Sequence, residues 1–200
     1  VSVVSVAGKM SVVIPILFGI LLYNESATPL KVIGIVIALV AVYLASVKEE
    51  KLSHKKASIL LPVILFLGSG AIDTTLKYIE KNYVSENEVA IFSGSLFGFA
   101  AFFGLIALTI QTIRKRESFG LKNLLAGIIL GVPNYYSIVF LIKALQIKGY
   151  ESSTLFTVNN VAIVVVSTIV GLLVFKERLS TKNIFGILLA ITGIILVTIA

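Results

Sequence analysis

Long uncharged runs broken by short charged clusters organise this 200-residue chain. The charges gather at 48–56, 114–122 and 176–182, and the intervening stretches carry few polar side chains. Seven segments reach the roughly 20 residues needed to cross a bilayer: 1–22, 29–47, 58–80, 88–113, 121–146, 152–175 and 182–200. Strands do not fit, because a membrane barrel alternates polar and apolar positions over about ten residues. The sixth segment, "SSTLFTVNNVAIVVVSTIVGLLVF", is apolar all round apart from small and amide side chains. It reads as a helix, since lipid requires backbone hydrogen bonds to be made within the segment.

The breaks between segments carry helix-start chemistry. Thr28 before Pro29 predicts a capped start for the second helix, and Ser180 with Thr181 does the same for the seventh. Lys122 and Asn123 open the fifth after "RKRESFG". Pro15, Pro62 and Pro133 fall inside spans, as do the glycine pairs Gly68/Gly70 and Gly127/Gly131. Such positions are expected to allow kinks and close helix approach.

Composition narrows the class further. The chain is 58% hydrophobic with a mean hydropathy of +1.04 and only 14% charged residues, too apolar for one soluble core. Its net charge of +7 does not imply nucleic acid, because the Lys and Arg residues lie in short connections and form no face. There is no cysteine, which excludes disulfides and thiolate metal sites. The single histidine, His54, has no partner at ligand spacing, so no metal is expected. No signal peptide is apparent, and no phosphate-binding Gly-Lys-Ser/Thr loop, so neither ATP nor another cofactor is expected.

The chain also repeats itself. Shifting "YNESATPLKVIGIVIA" (23–38) by 152 positions onto "FKERLSTKNIFGILLA" (175–190) aligns Glu25 with Glu177, Gly34 with Gly186 and Ala38 with Ala190. Residues 6–46 and 158–198 share 10 identities in 41 positions. In both copies a hydroxyl residue lies three positions after the acid and a glycine nine positions after it. Five predicted crossings separate the two glutamates, and an odd number places the copies on opposite membrane faces. An inverted repeat of this kind is common in secondary transporters, with the substrate site near the midplane. The second unit then has five helices and the first only two, so three more helices are expected upstream of residue 1 or from a homodimer partner.

At these residues the chain resembles a known family. "VVSTIVGLLVFKERLSTKNIFGILLAITGIILV" looks like the end of an EamA-like domain of the drug/metabolite transporter superfamily. "SVVIPILFGILLYNESATPLKVIGIVIALVAVYL" is similar to the same region of a first such domain, Pro15 included. The resemblance implies an all-α polytopic protein of ten helices in two inverted five-helix repeats. Residues 1–47 would be the last two helices of the first repeat, 48–57 a basic linker, and 58–200 the complete second repeat. It further implies a permease of the cell (inner or plasma) membrane that moves a small organic metabolite by alternating access. Ser167 stands where Pro15 would be matched, and Asn24 and Lys176 stand where the family usually has glycine.

Ionisable and amide groups within spans are the candidate substrate contacts. Lys9 lies in the first helix, and Asn159 and Asn160 lie at about the same depth in its repeat partner. Lys9 either binds an anionic group or snorkels to water. Asp73 in "GSGAIDTTLKY" either attracts a cation, pairs with Lys9, or pairs with Lys77 one turn on. Asn134, Tyr135 and Tyr136 follow Pro133, where a helix break would free carbonyls beside an amide and two phenols. The alternative for these is interhelical hydrogen bonding. Lys143 is expected to snorkel, and Ser93 and Ser95 to serve close packing. Glu25 and Glu177 are expected to support the start of the helix that follows each, with gating as the alternative. Gly34, Gly186, Pro15 and Pro133 complete the structural or gating set, and Tyr23 and Phe175 suit an interfacial aromatic belt.

Eleven Lys and Arg residues flank one face of the predicted topology and five the other. The positive-inside rule puts the richer set in the cytoplasm, whereas cytoplasmic termini, the family expectation, would put the poorer set there. Rival classes find less support. An intramembrane enzyme would need a spaced catalytic pair, and a purely structural subunit would leave the intramembrane polar groups without a cavity.

Overall fold

The computed structural model describes residues 8–46, 60–115, 120–176 and 180–200. These form helices and short connections, with no strand among the described residues. We label the helices α1 (Val13–Leu22), α2 (Pro29–Ser46), α3 (Leu60–Tyr83), α4 (Val89–Lys115), α5 (Leu121–Leu145), α6 (Ser152–Leu173) and α7 (Thr181–Thr198). Five of them, α3 to α7, are long and apolar enough to cross a membrane. Among the described residues the first two apolar helices, Gly8–Leu22 and Pro29–Leu44, are shorter.

Two compact units emerge, one from residues 1–77 and 149–200, the other from 78–148. In the first unit α2 and α7 pack along a seam of small residues. Gly34 lies against Val197, and Gly193 against Ala38, so four residues forward on α2 is four residues back on α7. The two helices are therefore antiparallel. A Cβ at Gly193 would lie 2.9 Å from the Ala38 nitrogen, so here backbone meets backbone. Ala38, Ala41 and Val42 of α2, Val161 and Val164 of α6, and Ala190 of α7 form the buried core around that seam.

The predicted caps are made. Thr28 Oγ1 accepts the Lys31 N–H at 3.2 Å at the start of α2. Ser180 and Asn183 form a reciprocal capping box on α7, and the Asn183 side chain also donates to the Leu44 carbonyl at 3.2 Å. The start of α7 thus lies beside the end of α2.

The prolines behave in three ways. Pro15 is buried near the start of α1, and the chain turns at Ser11–Val12 just before it. Its ring would clash with the Ser11 carbonyl in a continuous helix, and that carbonyl instead accepts the Ile14 N–H at 2.9 Å. Pro62 occupies the first turn of α3, where a missing N–H costs no hydrogen bond. Pro133, a position where the span could kink or break, lies inside α5, which runs from Leu121 to Leu145.

In the second unit α4 and α5 meet through rings. The Tyr135 hydroxyl donates to the Ala90 carbonyl at 3.1 Å, and its ring packs edge-on against Phe97 at 5.8 Å. Gln146 Nε2 donates to the Val84 carbonyl at 3.1 Å and ties the end of α5 to the α3–α4 turn.

Candidate functional site

The best-built polar constellation is a pair of crossed carboxylates at one end of the first unit. It starts from the stretch "YNES" after α1. Asn24 adopts a left-handed φ of 52°, a conformation Asn tolerates better than most residues. That turn lets the N–H groups of Tyr23 and Glu25 both reach the Gly19 carbonyl, at 3.1 and 3.3 Å. The Glu25 carboxylate folds back over Gly19, where a Cβ would lie only 2.7 Å from its Oε2.

From there Glu25 caps α6. Its Oε1 accepts the Ser152 N–H at 2.8 Å and the Ser152 hydroxyl, and its Oε2 accepts the Ser153 N–H at 2.9 Å. The residue at the local cap position, Glu151, makes no capping bond to its own helix. Two of the four N–H groups that a helix start leaves unpaired are therefore supplied from 125 or more residues away. Sequence reasoning placed Glu25 at the start of the following helix, α2; the structure corrects this to α6, whose exposed N–H dipoles attract the same charge.

Glu151 returns the contact. Its Oε1 accepts the Ser26 N–H at 2.8 Å, and its Oε2 accepts the Ser26 hydroxyl at 2.9 Å and pairs with the Lys31 ammonium. Lys31 is only 2% exposed, so this pair is shielded on its cationic side. Burial pushes the Glu25 carboxyl up, but the hydrogen bonds from Ser152 and Ser153 outweigh it and hold its pKa below the ordinary value. For Glu151, burial again raises, and Lys31 and Ser26 together lower the pKa further than burial lifts it. Both groups are ionised at neutral pH, and six contacts lock the α1–α2 turn to the start of α6.

Lys31, Glu151, Ser26, Ser152 and Ser153 were absent from the sequence-based candidates. One signal was available. Lys31 stands in the first turn of α2, where a cation opposes the helix dipole and needs an acid nearby.

The predicted contacts divide between the units. Lys9, Asp73, Asn159 and Asn160 belong to the first, Asn134 and Tyr135 to the second. The Asn160 side chain donates to the Lys9 carbonyl at 2.7 Å, which joins the two depths matched by the repeat. Beside them Val12, Ile16, Ala38, Leu39, Val42, Thr157, Asn160 and Val161 line a crevice too tight for a water molecule. Asn159 is exposed. Asp73 is half-buried on α3, four residues before Lys77. Asn134 is exposed, and its carbonyl accepts the Ser137 hydroxyl at 2.8 Å, while Tyr136 stacks on Phe140. Ser93 is fully buried, with no hydrogen-bond partner for its hydroxyl among the described residues. Ser95 bonds to its own helix at the Phe92 carbonyl.

Gly34 and Gly186 both lie in packed positions, Gly34 against Val197 and Gly186 buried on α7. Pro133 is exposed. Glu177 lies outside the described residues. Lys176, the repeat equivalent of Asn24, shares its φ of 52°. Among the described residues no three His, Cys, Asp or Glu side chains gather as a metal site.

Two comparisons bear on identity. The sequence profile of the EamA-like transporter family matches residues 57–199. An uncharacterized protein of Haemophilus influenzae is 29% identical over 190 residues, which is 94% of this chain and 63% of that protein. The chain therefore spans less than two thirds of the length of this relative.

Proposed function

The chain belongs to the EamA-like transporter family, and on that premise we propose that it works in a permease for a small, amino-acid-like metabolite, by alternating access without ATP. It is a multi-pass membrane protein of a transporter family, helical with no strand among the described residues. The proposal adds the substrate class, the mechanism, a ten-helix arrangement of two inverted repeats, and the cell membrane as its location.

One observation carries the reading. Helices matched by the 152-residue repeat pack against each other antiparallel, α2 along α7 by the small-residue seam. The pair α1 and α6 follows suit, with Gly19 beside Ser152 and Lys9, just before α1, beside Asn160. Two copies of one element lying head to tail is the arrangement that lets a protein open to either face by exchanging the roles of its halves.

The mechanism follows from that arrangement. The tight α2–α7 seam acts as the pivot, because backbone contact leaves little slack. The crossed carboxylates of Glu25 and Glu151 close one face, and their six contacts break when that face opens. Within the first unit Lys9 with Asn159 and Asn160 receives the substrate carboxylate and Asp73 its ammonium; Asn134 and Tyr135 are separate candidate contacts of the second unit. A zwitterion fits that set better than a simple ion, since it offers both charges at once.

Uptake into proteoliposomes holding the purified protein, run against a panel of labelled amino acids and related zwitterions, tests this. Saturable uptake is expected, with a loss of about tenfold or more for Lys9→Ala and Asp73→Asn and a smaller loss for Tyr135→Phe. No saturable uptake of any solute on the panel, or full activity in all three variants, would refute the assignment.

A further inference from the structure

A pocket of about 620 Å³ opens in the second unit where the α3–α4 turn meets the end of α5. Its lining is unusually mixed for a chain this apolar: Glu86, Asn87, Lys143, Gln146, Ile147 and Lys148. It is an open depression lined by exposed or half-buried side chains, with room for a small polar headgroup. None of these six residues figures in the proposed transport path.

Position and charge together narrow what it takes. Glu86 and Asn87 precede the apolar window Val89–Arg114, and Gln146, Ile147 and Lys148 follow the window Lys122–Leu145. The pocket therefore lies at the end of the spans, at headgroup depth, and not at the midplane. Tyr83, 70% exposed at the end of α3, marks the same level with an amphipathic ring.

The lining offers two ammonium groups and one carboxylate. Lys143 and Lys148 have no ion pair among the described residues. The neighbouring acid Glu88 is engaged by Ser85, through its N–H at 3.1 Å and its hydroxyl at 2.7 Å. Glu86 is thus the acid left to the pocket. Gln146 commits its N–H to Val84 and retains its amide oxygen as an acceptor. Asn87 adds a donor and an acceptor.

A lone anion would gain two lysines but meet Glu86, and a lone cation would gain Glu86 but meet two lysines. A ligand carrying both charges satisfies all three. We infer that this pocket binds a phosphate ester of a primary amine, the headgroup chemistry of an aminophospholipid. The phosphate lies between Lys143 and Lys148, where charge-assisted bonds to an oxyanion are strong. The ammonium donates to Glu86 and the Gln146 oxygen, and Ile147 lines the carbon chain. A quaternary amine has no N–H to donate, so choline esters are discriminated against. The same chemistry occurs in a soluble ester, and the test separates the two sources.

Native mass spectrometry of the purified protein, without transport substrate, supplies that test. Phosphatidylethanolamine, phosphatidylglycerol and phosphatidylcholine are titrated in turn, with soluble glycerophosphoethanolamine as competitor. Retention of phosphatidylethanolamine about tenfold above the other two is expected. The double variant Lys143→Ala/Lys148→Ala loses that retention, Lys143→Arg/Lys148→Arg keeps it, and Glu86→Gln removes the preference over phosphatidylglycerol. Displacement of the lipid by the soluble ester supports the site with a solute as its source; resistance to displacement supports the lipid. Equal retention of the three lipids by the unaltered protein, or an unchanged preference in Glu86→Gln, overturns the inference.

Discussion

The two units of this protein hold their helices together by different means. In the first, small residues let α2 and α7 touch backbone to backbone, and Ala41, Ala190, Val161 and Val164 are essentially inaccessible. In the second, α4 and α5 touch through Tyr135 and Phe97, and Phe99, Phe102 and Phe103 stay exposed. Lipid is as apolar as these side chains, so burying them brings little gain from the hydrophobic effect. What remains is packing and hydrogen bonding, and the first unit has far more of both. The difference teaches where rigidity is built in, at a seam and a carboxylate lock. It also shows where surface is left available, along the aromatic faces of α4 and α5.

Substituting glycine breaks this contrast most sharply. Gly193→Leu drives a side chain into the Ala38 backbone, which cannot rotate away. A loss of about 3 kcal/mol, at the upper end for overpacking, is expected, with much of the protein failing to fold. Gly98→Leu in α4 meets nothing within 4 Å and is expected to be neutral or to gain up to about 0.5 kcal/mol from helix propensity. Thermal unfolding in detergent, followed by circular dichroism, measures both. Equal losses would mean that the seam is no tighter than the aromatic contact.

A smaller separation is expected for polar contacts. Glu25→Gln keeps the shape of the lock but removes the charge that attracts the start of α6, at a cost of about 2 kcal/mol. Tyr135→Phe removes one neutral hydrogen bond to Ala90, at about 1 kcal/mol. The lock also responds to acid. Folding lowers the pKa of Glu25 and of Glu151. Their contribution is therefore complete above the ordinary carboxylate range and fades as pH falls through the depressed values. Hydrogen exchange at the Ser152 and Ser153 amides, corrected for intrinsic rates, should accelerate below that range in the unaltered protein. In Glu25→Gln it should show no such step.

Much of this architecture is legible in the residues themselves, and what is not has a physical reason. Apolar run length locates the helices, because the bilayer imposes it, and hydroxyl residues locate their starts at Thr28 and Ser180. Asn24 and Lys176, aligned by the repeat, share a left-handed φ of 52°. Contacts between distant segments are a different matter. Glu25 could serve any nearby helix start, and nothing local says that Ser152 and Ser153 lie closer than the start of α2. Pro133 reads as a place where the helix could break or kink, yet α5 is helical on both sides of it. The repeat puts Lys9 and Asn160 at about the same depth, but the tightness of the crevice beside them depends on Val12, Ile16 and Val42, which no periodicity singles out.

The finest distinction rests on one substitution made in both units, Ser→Ala. Ser152 is 2% exposed, and its hydroxyl and N–H both serve Glu25. Removing the hydroxyl leaves the carboxylate one bond short, and a loss of about 1 kcal/mol is expected because two N–H donors remain. Ser93 is as deeply buried, but its hydroxyl has no partner among the described residues. There alanine removes a polar group that was desolvated without return, so stability should hold or rise by up to about 1 kcal/mol. The same atom deletion then has opposite signs at these two positions. Melting temperatures of the two variants, measured side by side in one detergent, decide it. A loss at Ser93 equal to that at Ser152 would mean that the second unit hides a polar contact of its own, and the contrast between a locked and an open unit would fail.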